Sequence, residues 1–158
     1  MNEKDRALAD DTKKMIDFYK LPVEEIMIKE LPIIDKAVTI DAVAKLLLVR
    51  HHIWVVDRPG SRELVGVITE KDFLNVMSPL PAKSYVVGVI KPKSWHHVEF
   101  ENAEDIMARH VIKCNPKTTV EDVLILMRRH RLRRIPVTEN DEIIGEVTLS
   151  ALISYASI

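Results

Sequence analysis

Apolar residues recur at helical intervals in two places along the chain, at Ile40, Val43, Ala44 and Leu47 and again at Val120, Val123, Leu124 and Met127. Intervals of three and four put such side chains on one face of an α-helix, so each set predicts an amphipathic helix packed against a core. Two runs rich in β-branched residues follow each helix, "IWVVD" and "ELVGVIT" after the first, "RIPVT" and "EIIGEVT" after the second. Turn-forming stretches, "RPGSR" and "ENDE", separate the members of each pair, which predicts paired strands. A closing helix comes next in both places, "EKDFLNVM" and "LSALISYA", with Thr69 and Thr148 positioned as N-caps. Each half therefore reads strand, helix, strand, strand, helix, after a short amphipathic start.

The two halves are copies of one unit. "VEEIMIKELPIIDKAVTIDAVAKLLLVR" lies over "AEDIMARHVIKCNPKTTVEDVLILMRRH" without a gap, and Gly66 and Gly145, two of only four glycines, fall at equivalent places. Beyond the repeat lie two segments. Residues 3–19 predict a charged amphipathic helix with Leu8, Met15, Ile16 and Tyr19 available to pack. Residues 79–102, "PLPAKSYVVGVIKPKSWHHVEFEN", are too apolar in "YVVGVI" to be left in water, so a docked linker is expected. The expected organisation is an N-terminal helix over 1–20, a first domain over 21–78, the linker over 79–102 and a second domain over 103–158.

The opening "DIM", the "TTV" helix start, the strand that begins with a proline and the "G-x-x-T-x-x-D" of "GVITEKD" together resemble the CBS domain, named for cystathionine beta-synthase. Two such domains in tandem look like a Bateman module. The resemblance implies an α/β (α+β) fold of two β-α-β-β-α repeats about a pseudo-twofold axis, with clefts for adenosine-type ligands: AMP, ADP, ATP or S-adenosylmethionine. It also implies a homodimer of modules.

Thr69 ends a strand and Asp72 stands in the first turn of the next helix, so both side chains point into the space at that helix N-terminus. An ionised Asp72 can accept hydrogen bonds from the two hydroxyls of a ribose, and Thr69 adds a further donor or acceptor. Thr-x-x-Asp is also close to a capping box; the duplicated pattern favours the ligand reading. In resembling modules the two residues ahead of the hydrophobic-proline pair of one repeat face the phosphate of the nucleotide whose ribose the other repeat holds. Here these are Arg133 and Arg134, and guanidinium groups suit phosphate through permanent charge and a bidentate fork. Lys71 could add a third positive charge. The resemblance gives Ile112, Ile135, Pro136 and Val67 the adenine and cleft-wall positions.

The second copy reads "GEVTLSA", so Ala151 stands where the ribose carboxylate belongs, and Thr148 and Ser150 remain as weaker groups. One good site and one poor site per chain are expected. In the first copy, strand-based alignment puts Trp54 at the proline position, with His51 and His52 in the phosphate-facing places. Helix-based alignment shifts the register by two and puts Val56 there.

Charge and composition narrow the alternatives. Lys and Arg number 23 against 24 Asp and Glu, for a formal net charge of -1, so no global attraction to nucleic acid or an anionic membrane operates. The local run "RRHRLRR" carries no helix-turn-helix spacing, zinc pattern or aromatic stacking motif, and nucleic-acid binding is not expected. Arg128, Arg129 and Arg131 are read instead as a solvated helix end, where each cation gains about 0.3–1 kcal/mol from the helix dipole. The single cysteine, Cys114, excludes an internal disulfide and is expected as a small buried strand residue. No apolar run approaches a membrane span, and a cytoplasmic location is expected. His51, His52, His96, His97, His110 and Cys114 lack compact zinc spacing, and no P-loop or nucleophile elbow names a reaction. The expectation is a non-enzymatic sensor of adenine nucleotides, needing no cofactor or metal, that signals to an effector protein. An S-adenosylmethionine-type sensor and a nucleic-acid-associated or structural protein with vestigial clefts are the alternatives.

Overall fold

The computed structural model describes residues 2–77 and 100–157. The "YVVGVI" stretch, Trp95, His96 and His97 lie outside the described residues. Among the described residues twelve elements follow in order. They are α1 (Glu3–Lys20), a 3-10 turn (Val23–Glu25), β1 (Ile33–Asp35), α2 (Ile40–Arg50), β2 (His52–Val56), β3 (Leu64–Thr69), α3 (Glu70–Met77), α4 (Ala103–Ile106), α5 (Val120–His130), β4 (Arg134–Glu139), β5 (Glu142–Thr148) and α6 (Leu149–Ala156). The mixed helix and strand pattern read from the periodicities is present in both copies.

The elements gather into two compact units, one of residues 31–111 and one of residues 1–30 with 112–158. The opening segment of each sequence repeat therefore lies in the unit built around the other repeat's strands and helices. Backbone pairing shows why. Ala108 forms an antiparallel bridge with Val67 on β3, and Ile28 forms one with Glu146 on β5. Each opening segment thus extends a sheet that its own repeat does not supply.

In the unit of residues 31–111, β1 runs parallel to β2 and β2 antiparallel to β3, with His52 opposite Thr69 and Trp54 opposite Val67. A bulge falls between Val55 and Val56. The inward residues Ile53, Val55 and Ile68 meet Val43 and Leu47 from α2, Phe73 and Val76 from α3, and Ala103, Ile106 and Met107 from the opening segment. In the other unit β4 pairs antiparallel with β5, Arg134 opposite Thr148, and a bulge at the equivalent place follows Val137. Its core joins Val23, Val120, Val123, Met127, Ile135, Val137, Val147 and Leu152. Each fully buried aliphatic side chain in these lists stabilises the fold by about 1.5–3 kcal/mol.

The first strand expected in the second copy is reduced to a single parallel bridge, Cys114 to Val137, since Pro116 two residues on has no N–H to continue a ladder. Cys114 is buried as expected, and desolvation pushes its thiol up to about 12.

The two close approaches that hold the opening segments in place explain the matched glycines. A Cβ at Gly66 would stand 2.6 Å from the Met107 sulfur and 3.1 Å from the Ala108 carbonyl oxygen. One at Gly145 would stand 2.6 Å from the Met27 sulfur and 3.2 Å from the Ile28 carbonyl oxygen. Only a residue without a side chain lets the opening segment lie this near the strand.

Candidate functional site

At the end of β3 the backbone N–H of Thr69 donates to Asp72 Oδ2 at 2.8 Å, and the Thr69 hydroxyl donates to the same oxygen at 2.9 Å. Both residues are half-buried. The carboxylate therefore closes one half of a capping box at the start of α3, which is what its spacing from Thr69 allows on local grounds alone. Among the described residues these hydrogen bonds fall on Oδ2, so the second oxygen of a carboxylate with about four acceptor positions stays available to an incoming hydroxyl. The two hydrogen bonds of the cap fix the rotamer of this carboxylate. Phe73 and Val76, on the buried side of α3, hold the helix itself. Lys71 is exposed on the opposite side.

Around Asp72 the same unit places Glu70, whose carboxylate meets His51 Nδ1 at 2.5 Å. His51 is exposed and ends α2 in the left-handed region, at φ 62°. His52 turns inward: it is 6% exposed, its Nδ1 lies 3.1 Å from the Arg50 carbonyl oxygen, and its ring meets Trp54 edge-on at 5.5 Å. The two histidines expected as a phosphate-facing pair thus differ in setting, His51 at the exposed helix end and His52 in a buried strand. Val67, expected as a wall residue, exchanges both backbone hydrogen bonds with Ala108, at 3.1 and 2.9 Å.

In the other unit, Arg134 opens β4 and Arg133 directly precedes it. Arg133 is exposed and its carbonyl accepts from Leu149 N–H at 2.8 Å, while Arg134 is half-buried opposite Thr148. Thr148 caps α6 by accepting from Ala151 N–H at 3.1 Å, and its hydroxyl lies 3.2 Å from that of Ser150. Ala151 leaves this helix start without the carboxylate that Asp72 supplies in the first copy. Ile135 and Pro136 are buried, and Ile112 is half-buried.

The pairing also resolves the first copy's ambiguous register. His52 opposite Thr69 matches Arg134 opposite Thr148, which puts Trp54 at the proline position. Counted from the helices, His51 matches Arg131, since each ends its helix in the left-handed region. Both alignments hold on their own side, and the second copy carries two extra residues between them, Leu132 and Arg133. Arg133 has no counterpart in the first copy. The five-arginine run thus divides by location: Arg128 and Arg129 in the last turn of α5, Arg131 as its cap, and Arg133 with Arg134 at the strand start.

The family model described as CBS domain matches residues 23–79 and 103–158. A Bacillus subtilis protein, YlbB, described as uncharacterized, is 36% identical over 98 residues, which cover 62% of this chain and 55% of that protein. The match thus spans about half of that relative's length. The CBS domain of a CBS domain containing membrane protein from Sphaerobacter thermophilus is 28% identical, with a TM-score of 0.72 over 94% of this chain and 96% of that one. Two structures share the fold at lower identity. CBSX2 in complex with AMP has 22% identity and a TM-score of 0.66 over 86% of this chain and 96% of its own. The domain pair of protein MJ0100 with 5-methylthioadenosine and S-adenosyl-L-methionine has 24% and 0.64 over 87% and 96%. No helix among the described residues is long and apolar enough to cross a membrane.

Proposed function

The chain belongs to the CBS domain family and carries two copies in tandem, and from this we propose that it is a regulatory module that binds an adenine nucleotide, AMP, ADP or ATP. The Asp72 carboxylate, fixed by two hydrogen bonds from Thr69 on one oxygen, is the observation that carries the reading. Thr69 and Asp72 take the ribose, Arg133 and Arg134 take the phosphate with Lys71 as an outer cation, and Ile112, Ile135, Pro136 and Val67 take the adenine. The second copy is the poor site. Without a carboxylate at Ala151 it loses a charge-assisted hydrogen bond of about 1.5–3 kcal/mol, roughly 10 to 150-fold in affinity, and Thr148, Ser150, His51 and His52 are left to hold a ligand weakly. Occupancy is passed to an effector protein by whichever state of the module, a homodimer on this reading, the ligand prefers.

AMP and S-adenosyl-L-methionine, two of the adenosine ligands bound in the related structures, differ in a way these residues discriminate. The sulfonium of the latter is a cation, and two guanidinium groups repel it while attracting a phosphate. AMP-type ligands are therefore favoured over the sulfonium. A thermal-shift screen of AMP, ADP, ATP, GTP, S-adenosylmethionine and NAD on the purified chain tests this, since a ligand that prefers the folded state raises the melting temperature with concentration. A rise with at least one adenine nucleotide and a smaller one with S-adenosylmethionine supports the reading. No rise with any adenine nucleotide at saturating concentration contradicts it.

A further inference from the structure

The gapless overlay of the two copies aligns Leu48 and Val49 of α2 with Arg128 and Arg129 of α5, and buried Leu47 with buried Met127. The outward side of one duplicated helix is therefore apolar in the first copy, where Leu48 is 83% and Val49 73% exposed, and cationic in the second, where Arg128 and Arg129 are exposed. Arg131 follows as the exposed cap of α5, in the left-handed region at φ 55°. A helix end does not need this many cations. α2 closes with one basic residue in its last turn, Arg50.

The fold does not compensate for gathering them. Arg128 and Arg131 stand three residues apart, a spacing at which like charges meet across one turn and repel. Lys14, Lys36, Lys113 and Lys117 each pair with a carboxylate. Among the described residues Arg128, Arg129 and Arg131 form no ion pair. Three guanidinium groups thus carry their charge into water uncompensated, at a place suited to an anion from outside the chain.

Two features say which anion. Ile125 is 48% exposed and precedes Arg128 and Arg129 by three and four residues, so it shares their side of α5. An exposed apolar side chain among arginines is the composition of a protein interface. A phosphate backbone offers an isoleucine nothing, and α5 carries no aromatic residue on which a base could stack. The patch is also short. From Ile125 to Arg131 it spans about 9 Å at about 1.5 Å per residue of helix, the length of roughly three residues of extended chain.

We propose that Ile125, Arg128, Arg129 and Arg131 form a docking surface for a short acidic segment of another protein. Its carboxylates take the guanidinium groups in bidentate pairs, and an apolar side chain among them covers Ile125. None of these four residues is assigned to the nucleotide, so the surface stands or falls apart from that reading.

Fluorescence anisotropy of the full chain at low salt tests it, with a labelled synthetic peptide of glutamates around one central leucine. The peptide binds, its affinity falls as salt rises, and the same peptide with glutamine at every glutamate position does not bind. Arg128→Gln with Arg129→Gln and Arg131→Gln weakens binding about 10-fold, since each exposed ion pair is worth up to a few-fold. Ile125→Ser weakens it by a smaller factor. The substituted positions are exposed, and the triple variant is used once its cooperative melt matches that of the unaltered chain; if it does not, the three single arginine variants, each weaker by up to a few-fold, decide. Oligouridylate of matched charge binds more weakly than the peptide. No binding of the glutamate peptide, or unchanged affinity in the well-folded arginine variants, overturns the proposal. So does tighter binding of oligouridylate, which would make the patch a nucleic-acid surface, or full displacement of the peptide by AMP, which would put it on the nucleotide residues.

Discussion

Asp72 and Asp105 do related work in two helix starts, and comparing them separates what a carboxylate does for the fold from what it offers a ligand. Asp105 Oδ2 accepts from the backbone N–H of Asn102 at 2.9 Å and of Glu101 at 2.8 Å, closing a capping box at α4. These hydrogen bonds, Asn102 first, hold its carboxyl below the ordinary value of 3.8. A depressed folded-state pKa contributes stability that is present above 3.8 and is lost as pH falls through the lower folded value. Asp105→Asn should therefore be less stable than the unaltered chain at neutral pH, and the two should converge below pH 3.8; urea midpoints measured across pH check this. Cys114 offers a second residue-scale test. With its thiol pushed up to about 12 by burial, it should resist a thiol reagent at neutral pH until denaturant is added, and fast labelling of the folded chain would refute its placement. In the sequence, Asp72 and Thr69 were legible because their spacing is local. The inward turn of His52 was not, because it depends on where Trp54 lies across the strand.

The helices and strands were readable element by element, since apolar periodicity and β-branched runs are short-range signals. Which sheet each opening segment joins was not, because the Ile28–Glu146 and Val67–Ala108 bridges connect residues far apart in the chain. One trace of it lay in plain sight: Met27 and Met107 repeat in register, as do Gly66 and Gly145, and the methionine of one copy packs on the glycine of the other. Gly66→Ala and Gly145→Ala should each cost about 1–3 kcal/mol, the range for overpacking, because the Ala108 and Ile28 carbonyls have to move even if the thioethers repack. Gly66→Ala combined with Met107→Ala should recover little for the same reason. Denaturation midpoints measure both, and an unchanged midpoint for the single variants would show that the opening segments are not held by this approach. The two extra residues at Leu132 and Arg133 were visible only as an alignment that would not close. Strand pairing shows them to lie between the end of α5 and β4.

At the scale of the whole chain, duplication followed by divergence leaves two unlike helix starts, Thr69 with Asp72 and Thr148 with Ala151. On the proposed reading one strong ligand site per chain follows, so calorimetry with the preferred nucleotide should give a stoichiometry near one. Ala151→Asp should add a second binding event, since the new carboxylate would stand where Asp72 stands relative to its threonine; stoichiometry unchanged at saturation would mean that the second copy lacks more than an acceptor. The central proposal is that Asp72 takes the ribose of the bound nucleotide and Arg133 with Arg134 its phosphate. Titration calorimetry of adenosine and AMP against the unaltered chain, Asp72→Ala, and Arg133→Ala with Arg134→Ala tests it most directly. The account predicts that losing Asp72 weakens both ligands by a similar factor, about 10-fold or more, while losing the arginines weakens AMP and leaves adenosine nearly unchanged. Equal losses for both ligands in the arginine variant, or full affinity without Asp72, would contradict it.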